Sequence, residues 1–217
     1  MDSKKIIIIA VAVIAVIAVG VFFATSMLNN NQVTTQFETD FMNGSFVGNV
    51  SLQNDSLKYL HSYKDEAHNI TYNISTIDNS SALMEIYELQ GVTNPDERTF
   101  NGNDWNIYYS EAVATEDLNN TTNSSTMNII ICECQCENQG YLIFVIFGAD
   151  SDVKSTGNAF GEAYTDYVEP LLKTITLKES DNVPHVNEEY GLSEAEFAHQ
   201  MELIRQYKAG NLSALQG

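Results

Sequence analysis

Met127-Asn128-Ile129-Ile130-Ile131-Cys132-Glu133-Cys134-Gln135-Cys136-Glu137, then Asn138-Gln139-Gly140, then Tyr141-Leu142-Ile143-Phe144-Val145-Ile146-Phe147, decide the fold. Two runs rich in β-branched and aromatic residues flank a short turn segment, so they read as a long hairpin. Short links of this kind require antiparallel pairing, because parallel strands need long crossovers.

Within the first run, Cys132, Cys134 and Cys136 alternate with Glu133, Gln135 and Glu137. On a strand the thiols share one face and the polar residues the other. Same-face neighbours stand roughly 6.5–7 Å apart, so three in line cannot converge on one ion at about 2.3 Å each. The odd count on a single segment argues against a disulfide framework. The leading reading is that these cysteines continue the apolar face of Ile130 as small core residues. An intermolecular disulfide and a metal or redox role are the alternatives. No cofactor is expected.

Upstream, Phe37 to Met42 and Ser45 to Leu52 flank Asn43-Gly44, which reads as a hairpin turn. Leu57 to Tyr63, Asn69 to Ile77 and Ala82 to Leu89 are expected strands. Arg98 to Phe100 precedes a second turn at Asn101-Gly102, and Asp104 to Val113 follows, with Trp105, Ile107 and Tyr109 on one side. Trp105 and Tyr109 are expected in the core and Tyr108 half exposed. The polar stretch from Ala114 to Thr126 lacks apolar periodicity and reads as a mobile loop.

Downstream, Phe160, Tyr164, Tyr167, Val168, Leu171 and Leu172 recur at helical spacing. They predict a helix covering one face of the sheet, bent or stopped at Pro170. A short strand, Thr174 to Leu177, closes the domain. Residues 179–191 read as a polar linker. Ser193-Glu194-Ala195-Glu196 is a capping box that starts a C-terminal amphipathic helix within 192–217. Phe197, Met201 and Ile204 fall on one of its faces. So short a helix must pack on the domain, pair with a partner or fray.

The N-terminus sets the compartment. From Ile6 to Ala24 there is no charge, no Pro and one Gly. About 20 residues at ~1.5 Å each span a bilayer's ~30 Å hydrocarbon core. A cleavable signal peptide ending near Ala24-Thr25-Ser26 is the alternative, but apolar cores of that kind run roughly 7–15 residues. No Cys lies near the end of the segment, which excludes a bacterial-type lipid anchor. Lys4 and Lys5 precede the apolar run and no Lys or Arg follows until Lys58. The positive-inside rule then keeps residues 1–5 in the cytoplasm and exports the rest. The expected order is tail 1–5, single transmembrane anchor 6–25, spacer 26–35, α+β domain 36–178 with a mainly antiparallel sheet and one long packing helix, linker, and terminal helix.

Ten Lys and Arg stand against 29 Asp and Glu. Such a surface repels nucleic acid and anionic lipid, so no nucleic-acid partner is expected. Asn-x-Ser/Thr occurs at Asn43, Asn49, Asn54, Asn69, Asn73, Asn79, Asn119, Asn120, Asn123 and Asn211, ten tripeptides in all. Chance gives roughly three, and the excess supports export and glycosylation. In the segment His68 to Ser75, alternation puts Ile70, Tyr72 and Ile74 inward and Asn69 and Asn73 outward.

A strand-rich exported domain closed by a long helix and a short strand resembles the PsbP/Mog1 type of α+β domain across Gln36 to Lys178. The anchor, acidity and Asn-rich loops also resemble single-anchor surface proteins of methanogenic archaea. Both likenesses are of layout and composition, so neither transfers a functional residue.

The chain has no Gly-x-Ser-x-Gly, Walker loop, dinucleotide fingerprint or His-Glu-x-x-His. Asp150-Ser151-Asp152 opens like a calcium loop but lacks its Gly and closing Glu, so an ordinary turn is expected. No catalytic or metal-ligating residue is therefore assigned. The expected function is a membrane-anchored binding or interaction protein, with a protein partner on Phe197, Met201 and Ile204. The alternative is an extracytoplasmic hydrolase using acidic residues.

Overall fold

The computed structural model describes residues 33–118, 121–153 and 160–210, with backbone alone for 114–118 and 121–125. The expected anchor 6–25 and Asn119, Asn120 and Asn211 lie outside the described residues. Among those residues, no helix is long and apolar enough to cross a membrane.

The fold is α+β, with mainly antiparallel sheets and few helices. Among the described residues ten strands run in chain order: β1 Thr34–Glu38, β2 Met42–Val47, β3 Val50–Leu57, β4 Leu60–Asp65, β5 Ile70–Ile77, β6 Asp96–Phe100, β7 Asn103–Leu118, β8 Thr121–Cys136, β9 Gln139–Gly148 and β10 Thr176–Leu177. The helices are α1 Ser80–Glu88, α2 Glu169–Thr174, α3 Val186–Glu189 and α4 Glu194–Lys208. Seven strands form one sheet in the order β3-β4-β5-β9-β8-β7-β6, and β1-β2-β10 form a smaller one.

The β8–β9 hairpin is the centre, as the sequence predicts. Its turn is Glu137-Asn138, with Cys136 facing Gln139 across it. Both faces of this hairpin are covered, which explains why β9 is a nearly unbroken apolar run. Tyr141, Ile143, Val145 and Phe147 enter a first core with Trp105, Ile107, Ile130, Cys132 and Cys134. Leu142, Phe144 and Ile146 enter a second core with Tyr108, Ile129 and Ile131. Tyr108 is thus buried, contrary to expectation, because the second face carries its own layer of helices.

The first core is closed by the small sheet and by the Phe160–Leu172 stripe. Its helix begins with a π turn, Tyr164–Val168, in which the Glu169 N–H reaches back to the Tyr164 carbonyl. The wide turn passes directly into α2 at Pro170, whose ring and missing N–H would break a regular α-helical interior.

Several expectations are corrected. Asn43-Gly44 is not a turn but the interior of β2, paired with Glu38 and Phe37 on β1. The turn is Thr39-Asp40-Phe41, where the Thr39 hydroxyl accepts from the Met42 N–H at 2.9 Å. Gly44 lets apolar side chains lie over the strand, since a Cβ there would meet Ile175 at 2.8 Å. Leu57 to Tyr63 is split at Lys58-Tyr59 into the ends of β3 and β4.

Ala82 to Leu89 is helical rather than extended. The Asn79 side chain accepts from the Ala82 N–H at 2.9 Å and caps α1. Ala, Leu, Met and Glu favour helix, and Ala82-Leu83 and Ile86-Tyr87 bury one stripe.

The expected loop from Ala114 to Thr126 is a paired ribbon, with β7 and β8 in register from Val113↔Thr126 to Leu118↔Thr121. The expected linker 179–191 is docked. Asp78 donates its N–H to the Pro184 carbonyl at 3.0 Å and accepts the Val186 N–H at 2.8 Å. Val186 is buried.

The capping box of α4 forms as read, with Ser193 and Glu196 bonding each other's backbone. Phe197, Met201 and Ile204 are buried in the second core of this same chain. They face the domain.

Candidate functional site

The second core is incompletely covered. Helix α1 ends at Glu88, and the chain turns away through Gly91. Beyond that point β7 and β8 continue without a helix over them, and Val113 at the border is 64% exposed. The result is an apolar cleft, part of it open to solvent. Tyr87, Gln90 and Val92 form the wall on the α1 side, Ser110 and Ala112 come from β7, Met127, Ile129 and Ile131 from β8, and Phe144 and Ile146 from β9.

The lining is overwhelmingly apolar. Only Gln90, Ser110 and the Tyr87 hydroxyl bring polar atoms, and no carboxylate lines the cleft. Tyr87 meets Phe144 edge-on at 6.3 Å. Burial raises the Tyr87 hydroxyl far above its ordinary value, so it stays neutral. Helix α4 is tied to α1 beside the cleft by Arg205 on Glu85 at 3.0 Å and by Lys208 on Glu88. A lining of this kind suits contact with apolar rather than charged groups.

Two polar clusters lie elsewhere. Asp65 is fully buried and accepts from the Ala67 N–H at 3.0 Å and from His68 Nδ1 at 2.7 Å. The His68 ring packs 5.1 Å from that of Tyr167. Glu133 is also fully buried, and its carboxylate takes the Ser80 hydroxyl at 2.7 Å, the Ser81 hydroxyl at 3.0 Å and the Asn106 amide at 2.7 Å. Among the described residues, no group of three or more His, Cys, Asp or Glu side chains is placed to hold a metal ion. Asp150-Ser151-Asp152 is an ordinary turn, with the Ser151 N–H on the Gly148 carbonyl at 3.2 Å.

The sequons are dispersed. Asn49, Asn54, Asn69 and Asn79 are exposed, and Asn43 and Asn73 are half-buried within strands. Asn69 lies in the turn before β5, with a positive φ of 52°, rather than in the strand's alternation. Asn123 stands on β8 opposite Glu116. Cys132 and Cys134 are buried and Cys136 is exposed.

Sequence reasoning missed the cleft because its residues come from four separate elements. The available signal was the apolar content of both faces of β8 and β9.

No family model matches the chain, and no curated protein matches it. Among solved structures, a crystal structure from Bacteroides thetaiotaomicron VPI-5482 aligns with a TM-score of 0.44 at 9% identity. The alignment covers 69% of this chain and 50% of that one, so the chain spans about half the length of that protein.

Proposed function

We propose that this chain is a membrane-anchored extracytoplasmic binding protein whose cleft receives a neutral apolar molecule, such as an acyl chain or an unsubstituted ring. The cleft's lining carries this reading: seven aliphatic or aromatic side chains besides Tyr87 surround it, against two polar ones. The formal charge of −19 disfavours an anionic ligand. Export is supported by the apolar run Ile6 to Ala24 behind Lys4 and Lys5 and by the excess of sequons. Four open sequons, Asn49, Asn54, Asn69 and Asn79, are the proposed glycan sites within the described domain.

The test is titration of the full-length chain with the neutral fluorophore N-phenyl-1-naphthylamine. Saturable enhancement that disappears in Ala112→Trp, which fills the cleft from its half-open wall, supports the reading. Enhancement unaffected by Ala112→Trp refutes the assignment of the site.

The enzymatic alternative has one specific observation in its favour. Asp65 holds His68 Nδ1, and His68 remains 41% exposed, an arrangement that suits a general base. A hydrolase of this kind loses its activity toward a model ester in His68→Ala. Wild-type protein inert toward ester and glycoside panels counts against it.

A further inference from the structure

Cys134 and Cys136 share one face at the turn end of β8, where Cys136 pairs with Gln139. Both are free thiols, with Cys136 exposed and Cys134 buried beside it. Their sulfurs are 3.9 Å apart. Two sulfurs on one ion at about 2.3 Å each stand roughly 3.8 Å apart at a tetrahedral angle and about 4.6 Å apart when collinear. The observed spacing lies near the bent end of that range, so collinear binding requires a rotation of the exposed Cys136 side chain. The exposed Cys136 provides the entry path. Cys132 lies one step further along the same face, fully buried, where the strand pitch keeps it from the same ion.

Two thiolates with no third His, Cys, Asp or Glu ligand among the described residues suit a soft ion that accepts low coordination. They do not suit calcium or magnesium, which seek oxygen, or four-coordinate zinc. We propose that Cys134 and Cys136 form a two-thiolate binding site for a soft monovalent cation of the Cu(I) type. On binding, two S–H bonds break, two Cu–S bonds form and two protons pass to solvent. Copper remains in the +1 state, so no oxidant or reductant is consumed. Burial, followed by the neighbouring Cys136, pushes the Cys134 thiol up to about 12. The site is independent of the apolar cleft, because Ile129 and Ile131 face the opposite side of the sheet from Cys134.

The experiment is a titration of reduced, detergent-solubilised full-length chain with Cu(I) held by bicinchoninate, without oxygen. The expected result is withdrawal of one Cu(I) per chain with an ultraviolet sulfur-to-copper band, lost in Cys136→Ser. Because Cys136 is exposed, this variant keeps the fold, which circular dichroism verifies. Withdrawal unchanged in Cys136→Ser, or none by the wild type, overturns the proposal. Folded Cys132→Ala retaining copper supports the two-thiolate set, and loss of copper with the fold intact overturns it. If Cys132→Ala does not fold, Cys136→Ser alone decides.

Discussion

The Ser80 hydroxyl lies 2.7 Å from the Glu133 carboxylate, and this contact seats helix α1 on the sheet. Glu133 is fully buried and has only neutral donors, two of them from the first residues of α1. The hydroxyls and the Asn106 amide satisfy its buried oxygens. Glu133→Leu leaves Ser81 and Asn106 without their acceptor, while the Ser80 hydroxyl keeps the Gln135 Oε1 at 2.9 Å. The expected loss is about 1–3 kcal/mol in urea unfolding. An unchanged midpoint would show that the contact contributes nothing.

Gly140 backs onto the same helix. A Cβ at this position would lie 2.2 Å from the Ser80 hydroxyl and 2.8 Å from the Ser80 nitrogen. Gly140→Ala therefore pushes α1 off β9, with an expected cost of about 1–3 kcal/mol from overpacking. Thermal unfolding beside Gly91→Ala, where nothing lies within 4 Å but φ is +94°, separates crowding from backbone strain. Crowding predicts a structural shift of α1 only in Gly140→Ala, visible in the amide spectrum.

Met201 is 3% exposed and joins α4 to the second core. Met201→Ala should cost about 2–5 kcal/mol, as for other large-to-small core changes. Chemical denaturation checks this. A loss near zero would mean that α4 is detached in solution and that its apolar stripe is open to a partner after all.

His185 Nδ1 lies 2.8 Å from Asp78, joining the segment before α3 to the end of β5. The hydrogen bond to Asp78 and then its charge raise the His185 pKa above the ordinary 6.5. The folded pKa exceeds the unfolded one, so the contribution is full below the unfolded pKa and fades as pH rises through the folded value. Glu196 has the opposite sign. The Ser193 cap lowers its pKa, so that contribution is present above the unfolded value and fades as pH falls through the folded one. An NMR titration should show His185 returning toward its ordinary value in Asp78→Asn. An unmoved pKa in that variant would contradict the pairing.

Glycan mapping of protein from its native host should find occupancy at Asn49, Asn54, Asn69 or Asn79 before Asn43 or Asn73, whose side chains are half-buried in strands. The Asn79 Oδ1 caps α1, while a glycan would attach through Nδ2, so the cap and modification are compatible. A native mass equal to the bare chain would refute glycosylation.

The strands at the centre of the fold and its last helix were legible because strong local signals agreed with the tertiary environment. The apolar runs of β8 and β9, the Asn101-Gly102 turn and the Ser193–Glu196 capping box all formed where their residues suggest. The departures arose where two local preferences competed and packing chose between them. Asn43-Gly44 has turn chemistry, yet Phe37 and Ile175 lie against Gly44 and hold it extended. Ala82 to Leu89 alternates poorly as a strand, and the Asn79 cap decides for helix. Ala114 to Thr126 looks like a loop because its ribbon carries polar residues, although its backbone pairs in continuous register.

The site was less legible than the fold. Alternation put Cys132 and Cys134 inward as found, but Cys136, expected in the core with them, is exposed, and Glu133 on the opposite face is buried as well. Nothing local in the sequence shows that α1 will cover that residue. The cleft depends on where this cover ends, which is a property of the packed helices rather than of any segment.

The most direct measurement is a methyl NMR titration of the full-length chain with dodecanol, a neutral apolar chain. The expected result is saturable shifts at Met127, Ile129, Ile131 and Ile146, with Ile74 and Ile143 in the first core unmoved. Shifts centred on the first core, or none at any methyl group of the cleft, would contradict the proposal that this cleft binds apolar ligands.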